Sequence, residues 1–409
     1  MPNQTSTAAM LEIAALAARI ILENGAETYR VEDTVVRLCE SYGFANADVI
    51  ALSTGVFISV SSEAGGFAAV RRVSKRGMNL SRVNQVNDLS RGAADGTIPM
   101  EDALPLLKKI QEGDTLPPAV PVVLAGLAAA CFALMFGGGP VEFATALACG
   151  MAAQLTALWL RRAEMSLVLV SVVGGALCAI LSMISYFTFS MTPAGLETTL
   201  AGAIMPLISG LMMTNAVRDS LRGDLLSGLA RSVEALLVAV MVALGISLPL
   251  KVFLPDGLDL MMATPPVWYL AALYAGIATL CFCPLLKLPA RALLPVSLLG
   301  AAAYAGFLLL RDGLSLSGTL ALFLAAAASA LLCEILARRM RMIVTVFLSG
   351  ALIPLVPGLA LYRTMRELLY LQYESALAQG LAALGTVGAI ALGAAVGPGL
   401  RHKREKKEW

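Results

Sequence analysis

The chain has 409 residues, of which 58% are hydrophobic and 14% are charged, and its formal net charge is +2. Its mean hydropathy of +0.78 is higher than a soluble core requires, so the composition excludes an ordinary soluble protein and indicates a membrane protein. The small net charge gives no reason to expect a nucleic-acid partner.

Residues 1–115 contain no apolar run long enough to cross a membrane, and they begin without the pattern of a cleaved signal peptide. Apolar periodicity and turn residues predict four helices and a β-hairpin in this segment. We therefore predict that residues 1–115 form a cytoplasmic α/β domain. The predicted helices are Ala8–Glu23, Tyr29–Tyr42, Leu80–Ser90 and Met100–Gln111, and the predicted strands are Val49–Ser61 and Phe67–Val73.

Apolar runs of about 17 to 25 residues follow from residue 116, which is the length that crosses roughly 30 Å of hydrocarbon as a helix. Because unbonded backbone groups are costly in lipid, each run must be helical. We predict a polytopic α-helical membrane protein with ten transmembrane helices. It comprises a five-helix repeat at 116–255, a second at 264–398 and a basic cytoplasmic tail at 399–409. The predicted spans are Ala119–Phe136, Val141–Leu160, Ser166–Phe189, Glu197–Met213, Leu225–Leu250, Val267–Leu286, Ala290–Leu310, Leu316–Ala337, Met342–Leu361 and Ser375–Val396.

An internal duplication relates the two predicted repeats. The segment Gly202–Leu211 recurs as Gly350–Leu359, an offset of 148 residues, with glycine, alanine, proline and leucine repeated in place. If each repeat crosses the membrane five times, the second repeat enters from the opposite side. The duplication therefore predicts inverted repeats, the architecture of many secondary transporters.

The distribution of cationic residues predicts the orientation of these spans. Ten spans that start inside place most arginine and lysine residues of the connecting loops on the cytoplasmic side, and only Lys251, Arg311, Arg363 and Arg366 on the outer side. This imbalance follows the positive-inside rule, so both termini are predicted to be cytoplasmic.

Several classes of chemistry lack the residues that they need. The single histidine is His402, so a Ser-His-Asp triad or a histidine-ligated zinc site is not expected. The seven cysteines include no paired C-x-x-C motifs, and no Walker sequence is present. We expect no enzymatic activity, no cofactor and no metal, and transport powered by an ion gradient rather than by ATP.

Prolines interrupt the fourth predicted span of each repeat. Pro206 stands in the first repeat, and Pro354 and Pro357 stand in the second. A proline inside a helix removes one hydrogen bond and clashes with the carbonyl four residues before it. Gly210 and Gly358 follow these prolines, so we predict broken helices whose free backbone groups face a polar cavity and bind substrate. A static kink packed against small residues is the alternative.

Charged residues follow each of the interrupted spans. Arg218-Asp219 is repeated as Arg366-Glu367. A zwitterionic substrate needs a cation for its carboxylate and a carboxylate for its ammonium group, and both kinds are present here. The alternative is that the arginines only anchor loops at the lipid headgroups. We predict that the substrate is contacted from the inner mouth by Asn215 and Arg218 and from the outer mouth by Arg363 and Arg366.

Glu234 is the first candidate for a proton-coupling residue. It lies more than two turns inside the fifth predicted span, and a carboxylate at that depth faces a cavity or a partner. Arg231, three residues earlier, is the expected partner. The second repeat has Gln379 and Ala382 at the matching positions, so the site is predicted to be asymmetric. Further candidates for proton coupling are Asp219, Asp224 and Glu367.

Several separate motifs resemble one transporter family. Gly25–Asp33, Thr54–Val60 and Arg76–Arg82 are similar to the cytoplasmic signature of the bacterial threonine/serine exporters, and Asn215–Asp219 and Arg231–Glu234 are similar to that family's fourth and fifth spans. The resemblance extends from about Leu11 to Val396, nearly the whole chain.

The resemblance implies a ten-span secondary carrier in the bacterial cytoplasmic membrane. Such a carrier exports small hydroxylated amino acids, threonine and serine, at the expense of the proton gradient. One departure concerns Ser209, because the family commonly has proline both here and at the position of Pro357. The resemblance therefore leaves open how deeply the first helix is broken.

Three alternatives remain at this point. A small dicarboxylate such as succinate would also suit an arginine-lined mouth. The chain could instead be a membrane-anchored enzyme whose cytoplasmic domain uses Glu27, Glu32, Asp33 or Asp48 as acids and bases. A third reading is a sensor or scaffold that transports nothing.

Overall fold

The structure is a computed structural model that describes residues 4–44, 46–62, 65–73, 77–113, 117–207, 215–217, 219–220, 223–254, 263–356 and 358–405. Residues 4–113 form an N-terminal unit of four helices and three strands. Its elements are α1 (Gln4–Glu23), α2 (Thr28–Ser41), β1 (Asn46–Leu52), β2 (Gly55–Ser62), β3 (Gly65–Arg72), α3 (Leu80–Ala94) and α4 (Met100–Glu112).

The three strands of the N-terminal unit form an antiparallel sheet in the order β1-β2-β3. We predicted one strand over Val49–Ser61, and this was wrong, because the chain turns at Ser53 and Thr54 and pairs Leu52 with Gly55. The turn needs a glycine: a Cβ atom on Gly55 would lie 2.9 Å from the carbonyl oxygen of Arg71 on the neighbouring strand. The residues on both sides of this turn are apolar and rich in β-branched side chains, which hid the turn in the sequence.

The described residues after 116 form helices joined by short connections. Among the described residues, seven helices are long and apolar enough to cross a membrane. The chain is therefore a polytopic helical membrane protein, whereas the count of ten spans stays a prediction. The helices are α5 (Ala119–Met135), α6 (Pro140–Arg162), α7 (Leu167–Phe189), α8 (Pro193–Ile204), α9 (Leu225–Phe253), α10 (Trp268–Phe282), α11 (Ala290–Leu308), α12 (Gly318–Met340), α13 (Val344–Ala351), α14 (Gly358–Leu369) and α15 (Tyr373–Glu405).

The helices that precede Pro206 and Pro354 are short. α8 ends at Ile204, two residues before Pro206. α13 ends at Ala351 and is followed by a 3-10 turn at Ile353–Leu355 that contains Pro354. A new helix, α14, then starts at Gly358. The predicted interruption of the ninth span is confirmed. The helix of the fourth predicted span likewise stops before its proline.

The turns that follow these segments have the same backbone geometry in both halves. Gly223 and Leu371, which are 148 residues apart, both have positive φ angles, of 99° and 60°. The amide of Asp224 donates to the carbonyl of Asp219 at 3.0 Å, and the amide of Gln372 donates to that of Glu367 at 2.9 Å. A leucine rarely adopts a left-handed conformation, so its presence at this position indicates that the duplicated turn geometry is retained.

The N-terminal unit contacts one end of the helical bundle, which we call the docked end. The amide of Ser81 on α3 donates to the carbonyl of Lys287 at 2.9 Å, and the amide of Ile343 donates to the side-chain oxygen of Asn84 at 3.2 Å. Arg91 also donates to the carbonyl of Arg341 at 3.2 Å. These acceptors and donors lie in the α10–α11 and α12–α13 connections.

The opposite end, the far end, is marked by contacts between other connections. Gly137, at the end of α5, lies directly against the backbone of Thr264, just before α10. Gly195, in the first turn of α8, lies against the carboxylate of Glu142 at the start of α6. α8 therefore begins at the far end, whereas α13 begins at the docked end beside Asn84.

Candidate functional site

A charged cluster at the far end connects the two halves of the chain. Glu197 on α8 has no exposed surface and accepts hydrogen bonds from two arginines on α14. Arg363 donates from Nε at 3.1 Å, and Arg366 donates from Nη1 at 3.0 Å. Arg366 also donates from Nη2 to Glu367 at 2.9 Å. These four residues, together with Tyr362, form what we call the far-end cluster.

Local helix geometry places these side chains together. Thr192 caps α8 by accepting the amide of Gly195 at 3.0 Å, which fixes Glu197 in the second turn. Arg366 and Glu367 lie three and four residues after Arg363, so both are its neighbours on the surface of α14. The guanidinium carbon of Arg366 lies 5.9 Å from the ring centre of Tyr362, within cation–π range.

Tyr362 packs the far-end cluster onto the first half of the chain. Its side chain is fully buried among Leu196 and Leu200 of α8 and Val242 and Ile246 of α9. Its hydroxyl group has no hydrogen-bond partner among the described residues. The far-end cluster thus holds two cations, two carboxylates and one phenol. Charges are tolerated in a buried place only when they are paired in this way.

A second charged cluster lies at the docked end. Asp219 is fully buried and pairs with Arg231 of α9, whose Nη1 lies 3.1 Å from the carboxylate. Arg231 also donates from Nη2 to the carbonyl of Ala26, in the N-terminal unit, at 2.8 Å. The sequence predicted Glu234 as the partner of Arg231 and did not identify Asp219 in that role.

Two further residues of the N-terminal unit enter this cluster. Thr28 is fully buried and donates a short hydrogen bond to the carboxylate of Asp224. Glu27, only 1% exposed, accepts the hydroxyl of Thr345 of α13, with both carboxylate oxygens 3.1 Å from Oγ1. Arg30 pairs with the same carboxylate at 3.2 Å. The docked-end cluster comprises Ala26, Glu27, Thr28, Asp219, Asp224, Arg231 and Thr345.

The two clusters occupy equivalent positions of the duplication. An offset of 148 residues relates Glu197 to Thr345 and Asp219 to Glu367. The same offset relates Asn215, which is buried, to Arg363. Duplicated segments therefore form polar clusters at opposite ends of the bundle. The far-end cluster consists of side chains of the bundle alone, whereas the docked-end cluster also includes residues of the N-terminal unit.

The predicted substrate residues are placed as follows. Pro206 is half-buried in the turn after α8, Pro354 is buried in the 3-10 turn, and Gly358 is buried at the start of α14. Equivalent hydrogen bonds close the two turns: the amide of Leu207 donates to Ile204 at 2.9 Å, and that of Leu355 to Leu352 at 3.0 Å. Gly210, Arg218 and Pro357 lie outside the described residues.

Of the predicted proton-coupling residues, Asp219, Asp224 and Arg231 lie together at the docked end, and Glu367 lies in the far-end cluster. Glu234 is half-buried on α9, about one turn beyond Arg231. Arg363 and Arg366 were predicted to face substrate, and in this conformation both are bonded to Glu197.

Sequence reasoning missed Glu197, Thr345 and Tyr362, and it considered Glu27 only as an enzymatic acid or base. One signal was available for Glu197: it begins a predicted apolar span, and the duplication replaces it with an uncharged threonine. For Glu27 the local sequence carries no such signal, because its partner lies 318 residues away.

Comparison with known proteins connects both halves of the chain to one family. A family model of threonine/serine exporters matches residues 12–253, and a second model, described as threonine/serine exporter ThrE, matches residues 271–398. No solved structure matches this chain.

Named relatives agree with these matches. A probable threonine/serine exporter of Mycobacterium tuberculosis is 24% identical over 88% of this chain and 70% of its own length. A threonine/serine exporter of Corynebacterium glutamicum is 25% identical over 97% of this chain and 83% of its own length.

A third relative has a different name. It is a probable succinate transporter subunit of Klebsiella aerogenes, 24% identical over 56% of this chain and 88% of its own length. The family models and the exporter relatives span both halves of the chain, whereas the succinate transporter subunit matches little more than half of it. The chain belongs to the threonine/serine exporter family.

Proposed function

We propose that this protein is a secondary carrier that exports threonine and serine from the bacterial cytoplasm, driven by the proton gradient. The observation that carries the mechanism is the pair of polar clusters at equivalent positions of the duplication and at opposite ends of the bundle. Each cluster lies beside a segment in which a helix stops near a proline. The two clusters are the outer and inner gates of an alternating-access carrier.

The proposed architecture is ten spans arranged as two inverted five-helix repeats. Two facts support it: α8 begins at the far end, whereas α13, which carries the duplicated segment, begins at the docked end. The proposed domains are those of the sequence, with a cytoplasmic α/β domain at 1–115, repeats at 116–255 and 264–398, and a basic tail at 399–409. Both termini are then cytoplasmic, and the far end faces outward.

The outer gate competes with the substrate for the same groups. A threonine carboxylate matches the arginines that Glu197 now occupies, and its ammonium group matches Glu197 and Glu367. Free backbone groups at the broken helices complete the site between the gates. The proposed substrate contacts are Pro206, Gly210, Asn215, Arg218, Pro354, Pro357, Gly358, Arg363 and Arg366.

Proton coupling is proposed at the inner gate and along α9. Protonation of Asp219 would weaken its ion pair with Arg231 and, through Arg231, the bond to the carbonyl of Ala26. A proton would therefore favour opening at the docked end. Glu234, on the same helix, would pass protons to this pair, with Asp224 and Glu367 as further members of the path.

The test uses the full-length chain in proteoliposomes with an imposed pH gradient. Labelled threonine and serine should move against their own gradients when protons flow in the opposite direction. Glu234→Gln should abolish this coupling while threonine exchange survives. Glu374→Gln, an exposed carboxylate at the start of α15, is the matched control. Threonine movement that ignores the pH gradient would contradict proton coupling.

Succinate is the second candidate substrate, because one group of relatives is named for it and the far-end cluster contains two arginines. Labelled succinate in the same vesicles separates the two candidates. Movement of succinate without movement of threonine would reject the amino-acid assignment and keep the carrier mechanism.

A further inference from the structure

Three consecutive residues of the N-terminal unit each bond to the helical bundle. The carbonyl of Ala26 accepts from Arg231, the carboxylate of Glu27 accepts from Thr345, and the hydroxyl of Thr28 donates to Asp224. Arg231 and Asp224 belong to the first half of the bundle, and Thr345 belongs to the second. The segment 26–28 therefore connects the two halves at the docked end.

Capping of α2 does not explain why the carboxylate of Glu27 is buried. Glu27 is the N-cap residue of α2, yet its side chain makes no capping hydrogen bond. A glutamate at the start of a helix ordinarily interacts favourably with the helix dipole while its carboxylate stays in solvent. Here the carboxylate is 1% exposed and points to α13, and Arg30 of its own helix supplies the compensating charge.

The duplication relates the partner of Glu27 to a residue of the far-end cluster. Thr345 is the equivalent of Glu197, the carboxylate that closes the far end. At the far end the carboxylate belongs to the bundle itself and bonds across to α14. At the equivalent position of the docked end, Thr345, the bundle has only a hydroxyl group, and the carboxylate bonded to that hydroxyl belongs to Glu27, outside the bundle.

We propose that Glu27 is a gate residue of the carrier: it supplies, from the N-terminal unit, the inner-gate carboxylate that the second repeat lacks at Thr345. Thr28 is the second contact of this gate. This inference rests on the alternating-access function proposed above. It makes the N-terminal unit part of the transport machinery, and the segment 26–28 must leave the docked end when the inner gate opens.

The competing explanation is that Glu27 merely anchors the N-terminal unit. The structure separates the two roles, because α3 makes its own contacts with the bundle. Ser81 bonds to Lys287, Asn84 bonds to Ile343, and Asp88 lies 3.6 Å from Arg291. These contacts remain when Glu27 is changed, so the loss of the Glu27 carboxylate should open the gate without detaching the unit.

The experiment measures access to both ends in the full-length chain in membrane vesicles. Two cysteine reporters are introduced one at a time, Ser227→Cys at the start of α9 and Thr199→Cys on α8, at positions that are buried in this conformation. All seven native cysteines are buried, which keeps background labelling by a membrane-impermeant maleimide low. Glu27→Gln should raise cytoplasmic labelling of the Ser227→Cys reporter at least about fivefold and lower outer labelling of the Thr199→Cys reporter.

Controls identify the role of the charge and its position. Glu40→Gln makes the same change at an exposed site of α2 and should leave both reporters unchanged. Thr345→Glu, added to Glu27→Gln, moves the carboxylate to the position equivalent to Glu197 and should restore both labelling and threonine transport. Thr345→Gln in the same background has a similar size but no charge and should not restore them.

Several outcomes would overturn the proposal. One is unchanged labelling at both reporters in Glu27→Gln, and another is failure of Thr345→Glu to restore what Glu27→Gln loses. If Glu27→Gln does not accumulate, Thr345→Val removes the other partner and should open the docked end in the same direction. Absence of threonine transport by the unmodified chain would reject the proposed substrate instead, and the labelling results would still test the gate.

Discussion

At the scale of single residues, the structure places charges where their partners are non-local. Glu197 is the clearest case, because one buried carboxylate pairs with two guanidinium groups that lie 166 and 169 residues away. Removing one member of a buried ion cluster leaves the others unpaired, and this is where substitutions cost most.

We therefore expect Glu197→Gln to destabilise the protein by about 3 to 5 kcal/mol, the usual cost of breaking a buried pair. Arg366 would keep only Glu367 as a charged partner. The measurement is the unfolding midpoint of the purified protein in detergent. Glu374→Gln, at an exposed position, is the control and should unfold like the unmodified chain. Equal midpoints for the two variants would contradict the account of the far-end cluster.

Glu32 offers a pH-dependent prediction in the N-terminal unit. Burial raises the pKa of its carboxyl group, the hydrogen bond from the amide of Ala51 opposes this, and repulsion by Asp224 adds to it. The folded protein therefore holds this proton more tightly than the unfolded chain does. The stability that the group contributes is present at low pH and is lost as the pH rises through the raised pKa.

Glu32→Gln removes this pH-dependent loss, and its amide oxygen can still accept from Ala51. We expect hydrogen exchange of the α2 amides to be slower in Glu32→Gln than in the unmodified chain at about pH 7, with no difference near the ordinary glutamate pKa of about 4.3. Faster exchange in the variant at neutral pH would show that the ionised carboxylate stabilises the fold.

At the scale of elements, close packing at the duplicated glycines controls where α8 and α13 lie. A Cβ atom on Gly202 would lie 2.6 Å from the carbonyl oxygen of Ala129 and from the amide nitrogen of Ala133, both backbone atoms of α5. A Cβ atom on Gly350 would collide with a methyl group of Val296 on α11. A side chain can rotate away, whereas helix backbone must shift as a whole.

Both substitutions to alanine should therefore destabilise the protein, by about 1 to 3 kcal/mol for overpacking, with Gly202→Ala the more damaging of the two. Gly385→Ala on α15 is the control, because nothing lies within 4 Å of its Cβ position. Unfolding midpoints of the three variants test this order. A larger loss for Gly350→Ala than for Gly202→Ala would contradict it.

The sequence predicted most of these elements from apolar length and from proline. Apolar runs located most of the long helices to within a few residues, although α15 continues to Glu405, beyond the predicted end at Val396. Prolines located the ends of α8 and α13. The turn at Ser53 and Thr54 was missed because the residues on both sides of it are apolar and rich in β-branched side chains. The sequence predicted the two arginines of the far-end cluster but not Glu197. A charged residue at the edge of an apolar span usually marks the end of the span, and Glu197 meets the arginines only because α14 packs beside α8.

At the scale of the whole molecule, the duplication was visible in the sequence, and the docking of the N-terminal unit was not. The bonds from Ala26, Glu27 and Thr28 reach residues between 196 and 318 positions away. Local sequence patterns do not predict contacts between residues so far apart in the chain. The repeats can therefore be recognised from sequence motifs, whereas the residues that form the proposed gates are brought together only by tertiary packing.

The proposed orientation predicts the side from which each end can be labelled. Asp33→Cys, at an exposed position of α2, should react with an impermeant maleimide only from the cytoplasmic side. Gln372→Cys, in the exposed turn between α14 and α15, should react only from the outside. Labelling of intact cells and of inverted vesicles measures both. Reaction of the two positions from the same side would contradict the inverted arrangement of the repeats.

Pulsed electron paramagnetic resonance can measure both gates in the same protein and so tests alternating access itself. One spin-label pair, on Pro193 and Gln372, spans the far end, and a second pair, on Asp33 and Arg339, spans the docked end; all four positions are exposed. Without substrate, we expect short distances at both ends. Threonine with a pH gradient should produce longer distances at one end while the other stays short, with the two populations changing in opposite directions. Simultaneous lengthening at both ends, or no change at either end, would contradict alternating access.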